Sequence, residues 1–234
     1  MTRTHFDEIA ADYDESLPAH VTTHYLDKRA RFVRDRVPPP GQILDVGCGT
    51  GRLAARLAGL GYEVAGLDPS AGMLEVLRKQ APEVRAVQGS ATEMPFGDAE
   101  FDLSFSIATM HHIADPVAIR DALAEMVRVV KPGGRILVWD HNPRNPYWPH
   151  LMERVPQDIG AERLIPLDEL IAGLRAADAQ PVCVSQLGLV PDFTPRPLLA
   201  AAAALERLAE RTPLIRRRCA HNVVLAAKRC GAIP

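Results

Sequence analysis

The stretch ILDVGCGTG, residues 43–51, places an apolar run, a carboxylate and three glycines directly behind the stop formed by Pro38, Pro39, Pro40 and Gly41. Its start reads as a short strand and its glycines as the turn into a helix, where missing Cβ atoms let a ligand approach the backbone and the positive helix end. The phosphate loop of nucleotide hydrolases needs G-x-x-x-x-G-K-[ST], but Arg52 and Leu53 follow Gly51 where that motif requires other residues. The dinucleotide fingerprint G-x-G-x-x-G, counted from Gly47 and Gly49, puts its third position at Arg52, so the spacing here is one residue tighter. Asp45, two residues ahead of Gly47, would repel a pyrophosphate and suits an ammonium or a sulfonium. The expected ligand is therefore cationic near the loop.

Working outward, the pattern alternates. Strands are predicted at 42–46, 62–67, 84–88, 101–107 and 134–140, with helices at 51–60, 70–80 and 116–130. Strands separated by helices argue for βαβ units and a parallel sheet, and the largely apolar runs QILDV, DLSFSIA and RILVW suit strands covered on both faces. Ahead of the sheet, residues 20–37 form an amphipathic helix ended by Pro38, and residues 6–13 a shorter one. Beyond Asp140, HNPRNPYWPH reads as a long loop, followed by a helix at 167–177, a strand near 181–190, a helix at 197–210 and a strand near 218–228. Leu198, Leu205 and Leu208 then fall on or near one helix face, read as core-facing and followed by solvated arginines in TPLIRRRC, in preference to a peripheral membrane contact.

With 234 residues and 47% apolar content, one domain suffices to bury a full core. Lys plus Arg total 27 against 29 Asp plus Glu, a formal charge of −2, so no broad cationic surface invites nucleic acid. The acidic start MTRTHFDEIAADYDE and the lack of an apolar run near the ~18 residues of a spanning helix point to a cytoplasmic protein with no transmembrane segment. Cys48, Cys183, Cys219 and Cys230 lack C-x-x-C spacing and read as reduced thiols, with no metal site expected.

These residues carry a resemblance. LDVGCGTG is similar to the first motif of class I S-adenosylmethionine-dependent methyltransferases, VAGLDPSAGML to their second-strand segment, VQGSATEMPFGDAEFDLSF to their third and fourth, and VVKPGGRILV to the entry of their fifth. FDEIAADYDE resembles the N-terminal lead of the branch that includes quinone-biosynthesis and small-molecule methyltransferases, so order and spacing match across residues 6–140. The resemblance implies an α/β, Rossmann-like class I methyltransferase fold: a mostly parallel seven-stranded sheet with an antiparallel edge strand and helices on both faces. Residues 1–40 would form a helical lid, 41–140 the cofactor-binding core, and 141–234 the substrate-side loop and the rest of the sheet.

The implied cofactor is S-adenosylmethionine, leaving as S-adenosylhomocysteine. Gly47, Cys48 and Gly49 would pass beneath it, Asp45 would reach its amino group, and Asp68 would accept from the ribose hydroxyls, with N-capping of the helix after Pro69 as a further role. GSATEMPF departs from the family's usual Gly-Asp-Ala: Ser90 stands where a carboxylate accepts from the adenine amino group, so adenine recognition leans on Ala91 backbone atoms and on packing by Met73 or Pro69. Ser106 and Ile107 are implied contacts for the amino-acid end through backbone groups, and Tyr13 either closes over the cofactor or packs its helix on the body.

Methyl transfer is an in-line displacement in which proximity alone supplies roughly 7–11 kcal/mol in favourable cases. Where the acceptor is a hydroxyl or a carbon acid a general base helps, and His112, His111 and His141 follow the fourth and fifth strands at the ligand-facing edge. His112 is the first choice, only one of the adjacent pair is expected to face the site, and each could instead cap a turn or pack on the cofactor. Tyr147 and Trp148 stand in the loop where this fold builds substrate pockets, either facing an apolar acceptor or anchoring the loop. The expected activity is O- or N-methylation of a small molecule in biosynthesis by a monomer or homodimer. Alternatives are C-methylation of a quinone or lipid-like ring, and a non-catalytic cofactor-binding regulator.

Overall fold

A computed structural model describes residues 5–155, 158 and 160–229. The N-terminal segment holds α1 (His5–Ile9), a 3₁₀ turn at Tyr13–Glu15 and α2 (Ala19–Arg34). The central run is β1 (Gln42–Val46), α3 (Arg52–Ala58), β2 (Glu63–Asp68), α4 (Ala71–Gln80), β3 (Arg85–Gln88), β4 (Phe101–Ile107), α5 (Met110–Ile113), α6 (Pro116–Arg128) and β5 (Val130–His141). Then follow α7 (Trp148–Met152), α8 (Leu167–Ala176), β6 (Ala179–Leu187), α9 (Leu199–Arg211), α10 (Pro213–Arg216) and β7 (His221–Lys228). The helix expected over 6–13 is thus two short pieces, and the loop after β5 contains α7.

The strands form one seven-stranded sheet in the order β3-β2-β1-β4-β5-β7-β6. Neighbours from β3 to β5 pair in parallel, while β7 runs antiparallel between β5 and β6. The antiparallel character expected at this edge comes from β7, next to last, with β6 outermost. Alternate strand residues feed two cores: Leu44 and Val46 pack with Ile119, Leu123, Leu170 and Leu174, whereas Ile43 packs with Phe32, Leu53, Leu57 and Leu77. Burial on both faces is what requires continuous apolar strands. Sequence order reverses between β1 and β4, so the strand ends part there and leave a crevice beyond their carboxyl ends.

One expectation is overturned. Leu198, Leu205 and Leu208 are 57%, 63% and 63% exposed, and α9 turns Ala203, Glu206 and Ala209 inward. The cause is polar. Glu206 Oε1 accepts from His24 Nε2 at 2.9 Å and Lys28 Nζ at 2.6 Å, and its Oε2 accepts from the backbone N–H of Leu189 at 2.6 Å and of Val190 at 3.2 Å. Two alanines flank it, so the helix sits close, and the small face wins over the large one.

Burial alone would raise the Glu206 carboxyl, but His24, Lys28 and the Leu189 N–H outweigh it and hold the group down at about 2. A depressed carboxylate contributes stability that is full above the unfolded value and lost as pH falls through the folded one. Glu206→Gln should cost about 2–3 kcal/mol in urea unfolding at neutral pH. The wild-type advantage should shrink between about pH 4.5 and 2.

Candidate functional site

Two adjoining clefts open over the crevice, with volumes of about 610 and 440 Å³. Tyr13, Gly47, Gly49, Ala108 and His112 line both and form their junction. Of the residues singled out in the sequence, Asp45, Cys48, Ile107, His111 and His141 line the larger cleft, and Asp68, Pro69, Met73, Ser90 and Ala91 the smaller. Ser106 lines neither: it is buried, and its hydroxyl finds no partner among the described residues. Cys48, Cys183 and Cys219 are free thiols, while Cys230 lies outside the described residues.

Four N–H groups of the loop are already taken and are not offered to an anion. Gly47 N and Cys48 N both donate to the Leu67 carbonyl, at 2.7 and 3.1 Å, Gly51 N donates to Cys48 O at 2.9 Å, and Gly49 N donates to Asp68 Oδ2 at 2.9 Å. The glycines serve different needs. A Cβ on Gly47 would lie 2.1 Å from Thr109 Cγ2 and one on Gly51 2.5 Å from Leu77 Cγ, so packing excludes side chains at both. At Gly49 a Cβ would meet nothing within 4 Å: it would project into open space at the junction of the clefts. That cradle fits a ligand that lies against the loop.

Around it the charges suit a zwitterionic nucleoside. Asp68 accepts from Gly49 N and, through Oδ1, from Ser70 N at 2.9 Å. Ser70, not Asp68, caps α4, its hydroxyl accepting from Met73 N at 3.1 Å, which leaves the Asp68 carboxylate at the cleft. Burial raises Asp68, although its two amide donors pull the other way. Asp45 is pushed up to about 8 by burial and by Asp68, against the pull of Arg29. A carboxyl so raised gains most from an incoming cation.

Arg29 of α2, which sequence reading missed, supplies a cationic side chain that acts on Asp45. It lines the larger cleft, sits 5.7 and 5.9 Å from the ring centres of Tyr25 and Trp139, and its Nε lacks a partner among the described residues. A charge one helical turn after Tyr25, on the face that buries Val21 and Phe32, was the available signal. The N-terminal segment is latched over the loop, Thr50 donating to Asp14 at 2.8 Å, while Ser70 Oγ and Gly72 N donate to Asp7 at 2.7 and 2.8 Å. Tyr13 lies beneath, raised to about 12 by burial and by Asp68.

The larger cleft carries the histidines. Both of the adjacent pair face it, because α5 holds them on one helical turn with ring centres 4.0 Å apart. The expectation that only one would do so fails for this reason. His111 Nδ1 donates to Asp140 Oδ1 at 2.7 Å, and Asp140 also accepts from the His111 and His141 amides at 3.2 and 2.6 Å. Burial opposes the Asp140 charge, but His111 and His141 outweigh it and keep the carboxyl well below its usual range. An ionised carboxylate only accepts, so the His111 proton resides on Nδ1 and Nε2 carries the lone pair. Burial would lower His111, but Asp140, Asp158 and Glu162 raise it.

His112 and His141 differ. Burial and the neighbouring His111 lower them to about 3 and about 4. His112 packs against Phe6 at 5.1 Å, and His141 stacks on Trp148 at 3.5 Å. Asp158, another residue the sequence did not reveal, is raised to about 6 by burial. Its Oδ1 is 4.0 Å from His111 Nε2 and 3.9 Å from His112 Nδ1. Donors around a tetrahedral zinc stand about 3.3 Å apart, so this group would have to contract to hold a divalent ion, and at its present spacing Asp158 Oδ1 makes no hydrogen bond among the described residues. Tyr147 and Trp148 also line the cleft, while the Tyr147 hydroxyl bonds Asp192 and the Trp148 indole the Ala220 carbonyl. They face the cleft and anchor the loop at once.

Comparison with known proteins agrees with this geometry. The family described as "Methyltransferase domain" matches residues 44–138. A demethylmenaquinone methyltransferase of Renibacterium salmoninarum is 36% identical over 164 residues, 64% of this chain and 68% of that protein. One from Paenarthrobacter aurescens is 34% identical over 65% of this chain and 62% of its own length. The Burkholderia thailandensis 1,6-didemethyltoxoflavin-N1-methyltransferase, solved with its substrate and S-adenosylhomocysteine, has the same fold, with a TM-score of 0.62 at 21% identity over 96% of this chain and 87% of that one.

Gly49→Ala and Gly51→Ala should separate cradle from packing. The first should cost about 1–2 kcal/mol of stability through its positive φ yet weaken S-adenosylhomocysteine binding by about tenfold or more, read by calorimetry. The second, against Leu77, should chiefly lower the unfolding midpoint.

Proposed function

The chain belongs to the class I S-adenosylmethionine-dependent methyltransferases, and from that premise we propose that it methylates a hydroxyl oxygen of an apolar small molecule in a biosynthetic step. The observation that carries this reading is the buried 2.7 Å contact of His111 with Asp140 at the wall of the larger cleft. A neutral amine needs no base to accept a methyl group, whereas a hydroxyl gains from one. The lone pair on His111 Nε2 supplies that base, and Asp140 fixes its tautomer and orientation.

We assign the smaller cleft and the junction to the cofactor. Asp45 would hold its ammonium, Arg29 its carboxylate, Asp68 its ribose hydroxyls and Ser90 its adenine amino group, with Met73 and Pro69 packing on the base. Bound there, it supplies a methyl on a sulfonium. The chain's own task is then to orient the acceptor, exclude water and take one proton at His111 Nε2, a charge that the nearby Asp158 carboxyl would stabilise. His112, of low basicity, packs at the junction, and the described residues 5–40 act as the lid, with Tyr13 closing over the loop.

A second reading keeps the same base. The Renibacterium and Paenarthrobacter relatives carry the name of a quinone methyltransferase, and removal of a ring hydroxyl proton makes the adjacent carbon nucleophilic. Labelled-methyl transfer to phenols, quinols and amines, with the methyl located by mass spectrometry, decides between oxygen and carbon. Cofactor binding with no transfer across the panel would favour a regulator.

His111→Ala should lower kcat by about 10²–10⁴ while leaving cofactor affinity nearly unchanged. The neutral imidazole is the active form, so the rate should rise with pH on a limb above the ordinary histidine value of 6.5. Asp140→Asn should lower the rate and move that limb to lower pH, because the charge that holds the proton is gone. Undiminished transfer by His111→Ala would overturn the assignment.

A further inference from the structure

The segment FTPRPLLAAAAALERLAERTPLIRRR, residues 193–218, contains six arginines and two glutamates in a chain of formal charge −2. Both glutamates turn inward. Glu206 is held as described above, and Glu210 accepts from Lys28 and from the Gly188 amide. The charges left on the outer surface of this segment are all arginines: Arg196, Arg207, Arg211, Arg217 and Arg218 are exposed, and Arg216 half-buried.

Between them lies aliphatic surface. Leu198, just ahead of α9, and Leu205 and Leu208 within it recur at seven and three residues and form an exposed stripe turned away from the buried Ala203, Glu206 and Ala209. Arg211 and Arg207 stand about 60° and 100° round the helix from Leu208, both along the edge of the stripe that faces away from Leu205. Leu214 and Ile215 of α10 extend it at 77% and 50% exposure, and Phe193 is 68% exposed. Phe193 and Arg218 also line the larger cleft, so this face is continuous with its rim. An apolar stripe edged by one sign of charge, with arginine stems able to lie along it, has the form of an interfacial helix.

We propose that the α9–α10 face docks on an anionic lipid bilayer, turning the mouth of the larger cleft toward an acceptor dissolved in it. The direction of delivery rests on the reading of that cleft as the acceptor site, whereas the docking does not. Anionic headgroups match the unopposed arginines, and the acyl boundary accepts leucines that no described residue covers. A second copy of this chain would set arginine against arginine across the same stripe.

The test is co-sedimentation with vesicles of phosphatidylcholine alone and with about one third phosphatidylglycerol. The wild type should bind the anionic vesicles about tenfold more strongly than the neutral ones and be released by salt. Arg207→Gln/Arg211→Gln should weaken binding roughly ten- to thirtyfold. Leu205→Gln/Leu208→Gln should weaken it comparably, and both variants should retain S-adenosylhomocysteine affinity, which shows that they fold. Equal binding to both vesicle types, none to either, or a dimer in sedimentation velocity that Leu205→Gln/Leu208→Gln dissolves would overturn the proposal. Vesicle binding that persists when no acceptor is methylated would leave the docking standing and count against the acceptor reading alone.

Discussion

Three amide protons of the glycine loop are claimed by the neighbouring strand. The Leu67 carbonyl takes those of Gly47 and Cys48, and the Asp68 carboxylate takes that of Gly49. The loop therefore keeps its shape without help from a ligand, and at Gly49 it leaves open space where a Cβ would stand. A phosphate would meet the carboxylates of Asp45 and Asp68 there. The same bonds fix Asp68 at the end of β2, one strand from Asp45 at the end of β1, where the reversal of strand order opens the crevice. Position, polarity and room thus follow from one set of hydrogen bonds.

That set buries charge at a cost. Asp45 and Asp68 are both raised by burial, with Arg29 as the cation acting on Asp45. On the other side of the junction, Asp140 stays ionised because His111 and His141 surround it. One cluster is short of positive charge and the other is balanced, and the two meet at His112 and the glycine loop. A cation-bearing ligand relieves the first cluster; the second already has the order a proton acceptor needs.

Helix α2 ties these features to the far edge of the molecule. His24 and Lys28 grip Glu206 of α9, and Arg29, about 100° further round the same helix, reaches the larger cleft. The contact that sets the helix's rotation also places the cation beside Asp45. It exposes the leucines of α9 as well, so a polar clamp decides both what the site contains and what the surface offers.

The sheet was legible because strands buried on both faces must be apolar along their length and helices between them must repeat every 3.6 residues, signals that survive without tertiary contacts. Asp45, Gly47, Gly49 and Asp68 were legible for a related reason: they lie at strand ends fixed by that pattern. Arg29 and Asp158 were not, being single charges in segments rich in them, and α9 was misjudged because hydrophobicity alone ranks leucine above an alanine and glutamate face. By itself the sequence determined the order of strands and helices and the glycine loop with its strand-end carboxylates, which depend on local spacing. Only the tertiary structure decided which histidine carries the buried carboxylate partner, which arginine enters the cleft and which face of α9 meets water. Those outcomes depend on hydrogen bonds and ion pairs between residues far apart in the chain, where a buried charge goes wherever its partner is.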